Sequence, residues 1–284
     1  MSLEAPGSIV RRLAVSRAEC TEPIGKLFIV RDLASAFQAS GRSAFASEEL
    51  AEEWASRYEA TLLEQLREIW ESEGVNPPLE KAAAPGLYIG PGHPTYAGDF
   101  TENCFAILRR LVSCDDRELN CVAACVLAAL GANRIFVVDG PSDAGVDVIG
   151  CWSEGPLLGF CGFVQSKAWK GRLGAQDVED IIIKLDSGAN KDIWRAYISY
   201  VGGSELPGIG RMFVVFSRDG FSSSGLSAAR KLGALCWGPR RAALLLGSRY
   251  EESHLRRVID ALMEMPRDPE RNLYSIISNA EVGD

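Results

Sequence analysis

Residues 141–175 hold the side chains of this chain that are best suited to phosphate chemistry. Acids occur at Asp143 and Asp147 in the pattern DAGVD, and the apolar run GFVQSK that follows carries Gln165 and Lys167. If the two segments pair as antiparallel neighbours, a carboxylate, an amide oxygen and an ammonium group meet at one point. Metal-assisted attack of water on a phosphodiester requires groups of these types.

Each motif alone also has a purely structural explanation. Gly145 lets the backbone turn sharply, so DAGVD is also typical of an Asx-type turn before a strand. Gln165 and Lys167 have the same parity and leave one face of a strand together. Such groups need partners if they are buried, whereas an exposed edge strand carries them freely. Neither motif identifies a site by itself.

The order of elements after residue 100 predicts a mixed-sheet α/β fold. Helical periodicity covers residues 101–112, 115–130, 175–185 and 253–263, and the segment DGFSSSGLSAARKLG predicts another, capped helix. In the second of these helices Asp115 is the expected N-cap and Glu118 its capping-box partner. Strands are predicted at RIFVVDG, GVDVIG, LLGFCGFVQSKAW and RMFVVFS, with short strands near LCWG and AALLLGS.

The first 100 residues are predicted to be a largely helical region of unknown role. Ser47 is the expected cap of a long amphipathic helix that Gly74 ends, and KLFIVRDLASAFQA fits either a strand or a helix. Residues 82–98 are dense in Gly and Pro and predict a linker. We therefore expect an N-terminal region at 1–100, an α/β domain at 101–265 and a C-terminal tail at 266–284.

Net charge and composition set bounds on partners and compartment. The chain has a net charge of −8, but nine glutamates and two arginines between Ser47 and Gly74 contribute −7 of it. The excess of acidic residues therefore lies almost entirely in one predicted helix. This helix either packs one face on a core or docks a basic partner protein. Eight cysteines without a C-x-x-C pattern favour core packing over zinc or disulfides.

The expected location is cytoplasmic, without membrane association. No apolar run approaches the roughly 18 residues of a membrane helix. The N-terminus has no apolar region of the kind that a signal peptide requires, because two arginines follow only a short apolar stretch.

Taken together, the motifs of residues 102–248 resemble those of the Mrr-type restriction endonucleases, in the PD-(D/E)xK nuclease superfamily. That family has a D-G-G-x-D loop, a Q-x-K strand, a helix, and a buried strand that leads into a G-F-x-x-x-A helix. Here these are DAGVD, QSK, LGAQDVEDI and FVVFSRDGFSSSGLSAARKLG, in the same order. The resemblance implies a restriction-endonuclease-like mixed central sheet flanked by helices. It also implies a DNA endonuclease that depends on Mg²⁺ or Mn²⁺ and acts in restriction or defence against foreign DNA.

The same resemblance implies roles for individual residues. Asp147 would bind the cation with the side-chain oxygen of Gln165 and the backbone carbonyl of Ser166. Lys167 would position or deprotonate the attacking water and offset charge on the phosphate. Gln in place of the commoner Glu removes one negative charge, which weakens the metal site unless another acid helps.

The sequence alone does not identify that accessory acid. Asp143 is one candidate. Glu118 is the other, with helix capping as its alternative role, because the family has its helix acid nearer the register of Asn120.

Contacts to DNA are predicted just after the Q-x-K motif. Lys170 and Arg172, with Trp169 beside them, fit phosphate binding and base stacking, although an ordinary solvated surface has the same composition. A homodimer would supply the two active sites that cutting both strands requires. Two alternatives remain: a catalytically weak DNA-binding or scaffold subunit with the same fold, and an effector nuclease gated by residues 1–100.

Overall fold

The computed structural model describes residues 5–41, 43–138, 145–153, 159–187 and 210–279, apart from the side chains of residues 44 and 153. The chain forms two compact units, Met1–Ala106 and Ile107–Asp284. Among the described residues, no helix is long and apolar enough to cross a membrane.

The first unit combines three helices with a small antiparallel sheet. Its elements are α1 (Pro6–Ala18), β1 (Lys26–Phe28), α2 (Ile29–Ala39), α3 (Glu48–Glu71), β2 (Glu80–Lys81) and β3 (Leu87–Ile89). The strand order is β1-β3-β2. The segment that fits either a strand or a helix is both, because β1 runs directly into α2. The Ser47 hydroxyl caps α3 by accepting from the N–H of Leu50 at 3.3 Å, as predicted.

The second unit is built on a five-stranded mixed sheet. Helix α4 (Glu102–Leu111) leads into it, and its elements are then α5 (Asp116–Ala129), β4 (Arg134–Val137), β5 (Val148–Ser153), β6 (Gly159–Lys167), α6 (Ala175–Leu185), β7 (Gly210–Ser217), α7 (Ser223–Lys231), β8 (Leu235–Trp237), α8 (Pro239–Gly247), α9 (Glu252–Glu264) and α10 (Tyr274–Asn279). The strand order is β4-β5-β6-β7-β8. Pairing is antiparallel from β4 to β6 and parallel from β6 to β8. The predicted mixed α/β sheet flanked by helices is confirmed.

Helices cover both faces of the central strand β6. On one face, Cys161 and Phe163 join a buried cluster with Val178 of α6. On the other face α5 packs so closely that a Cβ on Gly150 of β5 would lie 3.0 Å from both methyl groups of Leu127. This glycine therefore lets α5 lie against the sheet. Six of the eight cysteines are buried and all eight are free thiols, as their apolar surroundings predict.

The segment AALLLGS is not the predicted strand but part of α8. Pro239 occupies the first turn of that helix, after Gly238 as N-cap. Proline is favoured at this position, and the Ala and Leu residues that follow are strong helix formers without β-branching. A short apolar run fits a buried helix as well as a strand, which explains the wrong prediction.

The residues after Pro266 pack onto the sheet. The N–H of Leu273 donates to the carbonyl of Ile135 at 2.8 Å, and the N–H of Ile135 donates to Asn272 Oδ1 at 3.0 Å. These bonds occupy backbone groups of β4, which lies at one edge of the sheet, and helix α10 follows them. Covering an edge strand in this way limits its pairing with other chains.

Candidate active site

Asp147 is anchored across the pairing of β5 and β6. It directly precedes β5, its N–H donates to the carbonyl of Val164 at 2.9 Å, and its Oδ2 accepts from the N–H of Ser166 at 2.6 Å. The side chain is 8% exposed. A hydrogen bond from a backbone N–H to a carboxylate is charge-assisted and is stronger than one between neutral groups. The structure thus fixes an acid on the backbone of the Q-x-K motif.

Gln165 presents a buried amide on β6, one residue before the N–H that bonds this carboxylate. Its side chain is 6% exposed, and Oε1 has no hydrogen-bond partner among the described residues. Gly145, at φ +87°, packs over the amide, since a Cβ there would lie 3.6 Å from Nε2. Such a positive φ favours glycine at this turn. A buried amide oxygen without a donor costs about 1–3 kcal/mol, and a bound cation would satisfy it.

Lys167 follows on the same face of β6, where the strand leaves the sheet. It is partly buried, and its Nζ lies 5.5 Å from the centroid of the Trp169 ring. Its backbone carbonyl accepts from the N–H of Arg218 at 3.0 Å. The ammonium group is therefore held close to the protein surface at the end of the strand that carries the amide.

Ser166 lies between these two residues and faces the opposite side of the sheet. It is 4% exposed, its N–H is bonded to Asp147, and its Oγ has no partner among the described residues. Its carbonyl is the predicted third ligand. Asp143 lies outside the residues that the structure describes.

Glu118 is engaged in an ion pair. Its carboxylate lies 2.7 Å from Arg110 Nη2, and Arg110 also contacts Asp260 at 3.2 Å. Asp115 caps α5 as predicted, with its Oδ1 accepting from the N–H of Glu118 at 2.8 Å. Burial, and then the charge of Glu118, raise the pKa of the neighbouring Cys114 thiol to about 12. These contacts give Glu118 a structural role.

Glu118→Gln is therefore expected to preserve cleavage and weaken the fold. We expect a loss of about 1 kcal/mol in the free energy of unfolding, because the ion pair with Arg110 becomes a hydrogen bond from the guanidinium to a neutral amide oxygen. Urea denaturation measures the stability, and cleavage of DNA in Mg²⁺ measures activity. A loss of activity with unchanged stability would make Glu118 a ligand after all.

Asp116 and Arg218 were not identified from the sequence, and Asn120 was named there only as the register of the family's helix acid. Asp116 Oδ1 accepts from the N–H of Ala168 at 2.9 Å, so an acid of α5 reaches the end of β6. Asn120, one turn further along α5, is 4% exposed, and its Oδ1 has no partner among the described residues. Arg218 directly follows β7 and contacts the same end of the sheet. Helical periodicity indicates that α5 has a buried face, but the contact of Asp116 depends on how the helix docks.

The donor set fits a hard divalent cation better than zinc. The described part of the chain contains no group of three or more His, Cys, Asp or Glu side chains placed to hold a metal. One carboxylate, one amide oxygen and one backbone carbonyl suit Mg²⁺, which is often held by few protein ligands and keeps several waters. The structural feature that supports this fit is Gln165 Oε1, which has no partner in the part of the chain that the structure describes.

The predicted DNA contacts surround the end of β6. Lys170 and Arg172 are exposed, and half of the surface of Trp169 is exposed. Exposed cations thus follow the Q-x-K motif directly in the chain, and Arg218 contacts the same segment through the carbonyls of Lys167 and Trp169.

Comparisons with known proteins give limited similarity. No family model matches the chain, and no curated protein matches it. Among solved structures, the MspJI restriction endonuclease in complex with a 27-mer oligonucleotide matches with a TM-score of 0.40 and 14% identity. The match covers 82% of this chain and 50% of that one, so the chain spans about half the length of that protein. A TM-score of 0.40 is too low to identify a family or an activity.

Proposed function

We propose that this protein is a metal-dependent endonuclease of the Mrr type, within the PD-(D/E)xK superfamily, that hydrolyses phosphodiester bonds of DNA in restriction or defence. One observation carries the proposal. The carboxylate of Asp147 accepts from the backbone N–H of Ser166 inside the Q-x-K motif, whose Gln165 has a buried amide oxygen with no partner among the described residues and whose Lys167 follows on the same face of the strand.

Each residue of the site would have its own role in hydrolysis. Mg²⁺ or Mn²⁺, held by Asp147, Gln165 Oε1 and the carbonyl of Ser166, would supply an acidified water and neutralise charge on the phosphate. Lys167 would orient the attacking water and offset the negative charge that develops on the phosphoryl oxygens. The hydrogen bond from Ser166 to Asp147 would keep the carboxylate in place during the reaction.

The proposal is tested by cleavage of plasmid DNA. Purified full-length protein is incubated with unmodified and with methylated plasmid, in Mg²⁺, in Mn²⁺ and in EDTA. We expect cleavage of at least one plasmid with a divalent cation, none in EDTA, and recovery when the cation is restored, because the site has too few charges to work without metal. Failure to cut either plasmid with either metal would contradict the proposal, and cleavage in EDTA would refute the metal requirement.

A DNA-binding subunit without strong catalytic activity is the second candidate. The observation that favours it is the neutral Gln165 where a second carboxylate would strengthen metal binding. Such a subunit would bind DNA in EDTA and in Mg²⁺ with similar affinity and would leave both plasmids intact.

A further inference from the structure

Trp169 is an exposed aromatic side chain beside the candidate site. Half of its surface, 50%, is accessible to solvent, although the residue lies only two positions after Lys167. Aromatic side chains beside cationic groups are a common feature of surfaces that bind single-stranded nucleic acids. The surroundings of this indole therefore decide whether it can contact a ligand.

The backbone around Trp169 is held firmly by its neighbours. Four hydrogen bonds hold it in place. Two come from backbone N–H groups, that of Ala168 to Asp116 Oδ1 at 2.9 Å and that of Gly171 to Asp219 Oδ2 at 2.7 Å. The other two come from Arg218, whose Nη2 donates to the Trp169 carbonyl at 3.4 Å and whose N–H donates to the Lys167 carbonyl at 3.0 Å. None of these bonds uses the indole ring. The ring is thus presented to solvent from an ordered segment.

Arg218 organises this segment. Besides its two bonds to the Lys167 and Trp169 carbonyls, its Nη1 donates to the carbonyl of Cys114 at 3.1 Å and its Nε to Asp219 Oδ1 at 3.0 Å. The guanidinium is therefore bonded to the segment that follows β6, to the turn before α5 and to Asp219, while the backbone N–H of Arg218 bonds the last residue of β6. A side chain fixed at several points loses little further freedom when a ligand binds next to it.

The charges around the ring suit an anionic ligand. Lys170 and Arg172 are exposed on the same segment, and the Lys167 ammonium lies 5.5 Å from the ring centroid. The nearby acids Asp116 and Asp219 are occupied by the N–H groups of Ala168 and Gly171. A flat aromatic surface bordered by cations matches a nucleobase with its phosphates on either side.

We propose that Trp169 is a stacking platform for an unpaired nucleobase, so that the preferred substrate of the site is DNA with unpaired nucleotides next to the scissile phosphate. This inference rests on the proposed nuclease function. Inside a duplex both faces of a base are covered by its neighbours, so a base can stack on Trp169 only in a single strand or after leaving the helix. Lys167 then meets the phosphate of the stacked nucleotide.

Binding measured in EDTA separates this inference from catalysis. The probes are a fluorescein-labelled thymidine 20-mer and a labelled 20-base-pair duplex, with affinities taken from fluorescence anisotropy. Wild type is expected to bind the single strand more tightly than the duplex. Trp169→Ala is expected to weaken single-strand binding by about 10-fold, because one base loses the aromatic ring on which it stacks. Trp169→Phe, which keeps an aromatic ring, is expected to lose less.

Phe160→Ala is the matched control, because Phe160 is another exposed aromatic residue, at the opposite end of β6. Its single-strand affinity should equal that of wild type. Equal affinity of wild type and Trp169→Ala for the single strand, or tighter binding of wild type to the duplex, would overturn the inference. If the nuclease proposal alone fails, the result is different: plasmids stay intact in Mg²⁺ and Mn²⁺, but the differences in single-strand binding remain.

Discussion

Lys167→Ala is expected to slow DNA cleavage by about 10²- to 10³-fold, the loss typical when one group that stabilises transition-state charge is removed. Lys167 leaves β6 on the face that carries Gln165, and its chain is partly buried. Its charge therefore acts close to the proposed scissile phosphate, where screening by water is weaker than in bulk solvent. The measurement is the single-turnover rate of plasmid cleavage at saturating Mg²⁺.

Two further variants make this prediction specific. Lys170→Ala removes an exposed lysine three residues away and is expected to change the rate less than tenfold, because an exposed charge contributes mainly to binding. Asp147→Asn keeps an oxygen that can accept from the N–H of Ser166 but removes the charge, so it should lose activity as Lys167→Ala does. If Lys167→Ala cuts at the wild-type rate, the proposed role of the Q-x-K motif is wrong.

Phe163→Ala is expected to lower the free energy of unfolding by about 3–5 kcal/mol, the usual cost of removing a buried phenyl ring. Phe163 is fully buried on β6 and belongs to the cluster that α6 and β7 cover. The resulting cavity would lie two residues from Gln165, on the same face of the strand. We therefore expect the variant to lose both stability and the alignment of the site.

The stability change is measured by urea denaturation followed by circular dichroism. Phe160→Ala on the same strand is the control, because Phe160 is 38% exposed and its ring centroid lies 5.6 Å from that of Trp152. It should destabilise the protein by about 1 kcal/mol or less, in line with partial burial. Similar losses in the two variants would mean that β6 is not the buried centre of the sheet.

Local signals predicted much of the fold. Ser47 and Asp115 cap their helices as expected, because a polar side chain before an apolar periodic segment satisfies free N–H groups whatever the tertiary context. The strands from β4 to β7 follow from apolar runs bounded by turns. The wrong strand at AALLLGS shows the limit of this method, since composition alone does not separate a buried helix from a short strand.

The strand pairing on which the candidate site depends was predicted. Asp147 directly precedes β5 and Gln165 lies on β6, and these strands are antiparallel neighbours. Asp116 and Arg218 could not be predicted, because their contacts with the end of β6 arise when α5 and β7 dock on it. The role of Glu118 could not be decided from the sequence for the same reason, because its partner Arg110 lies on another helix, α4.

At β6 the strand pairing changes from antiparallel to parallel. The two parts of the candidate site therefore differ in the chain entropy that is lost when each part forms. Asp147 and Gln165 belong to a local meander and come together by closing a loop of roughly 20 residues, whereas Arg218 reaches Lys167 only after a connection of roughly 50 residues has closed. Each doubling of loop length adds about 0.6 kcal/mol to the entropic cost of closure. The acid–amide pair thus belongs to the part of the sheet with low contact order, and the ordered segment around Trp169 requires the long-range parallel pairing.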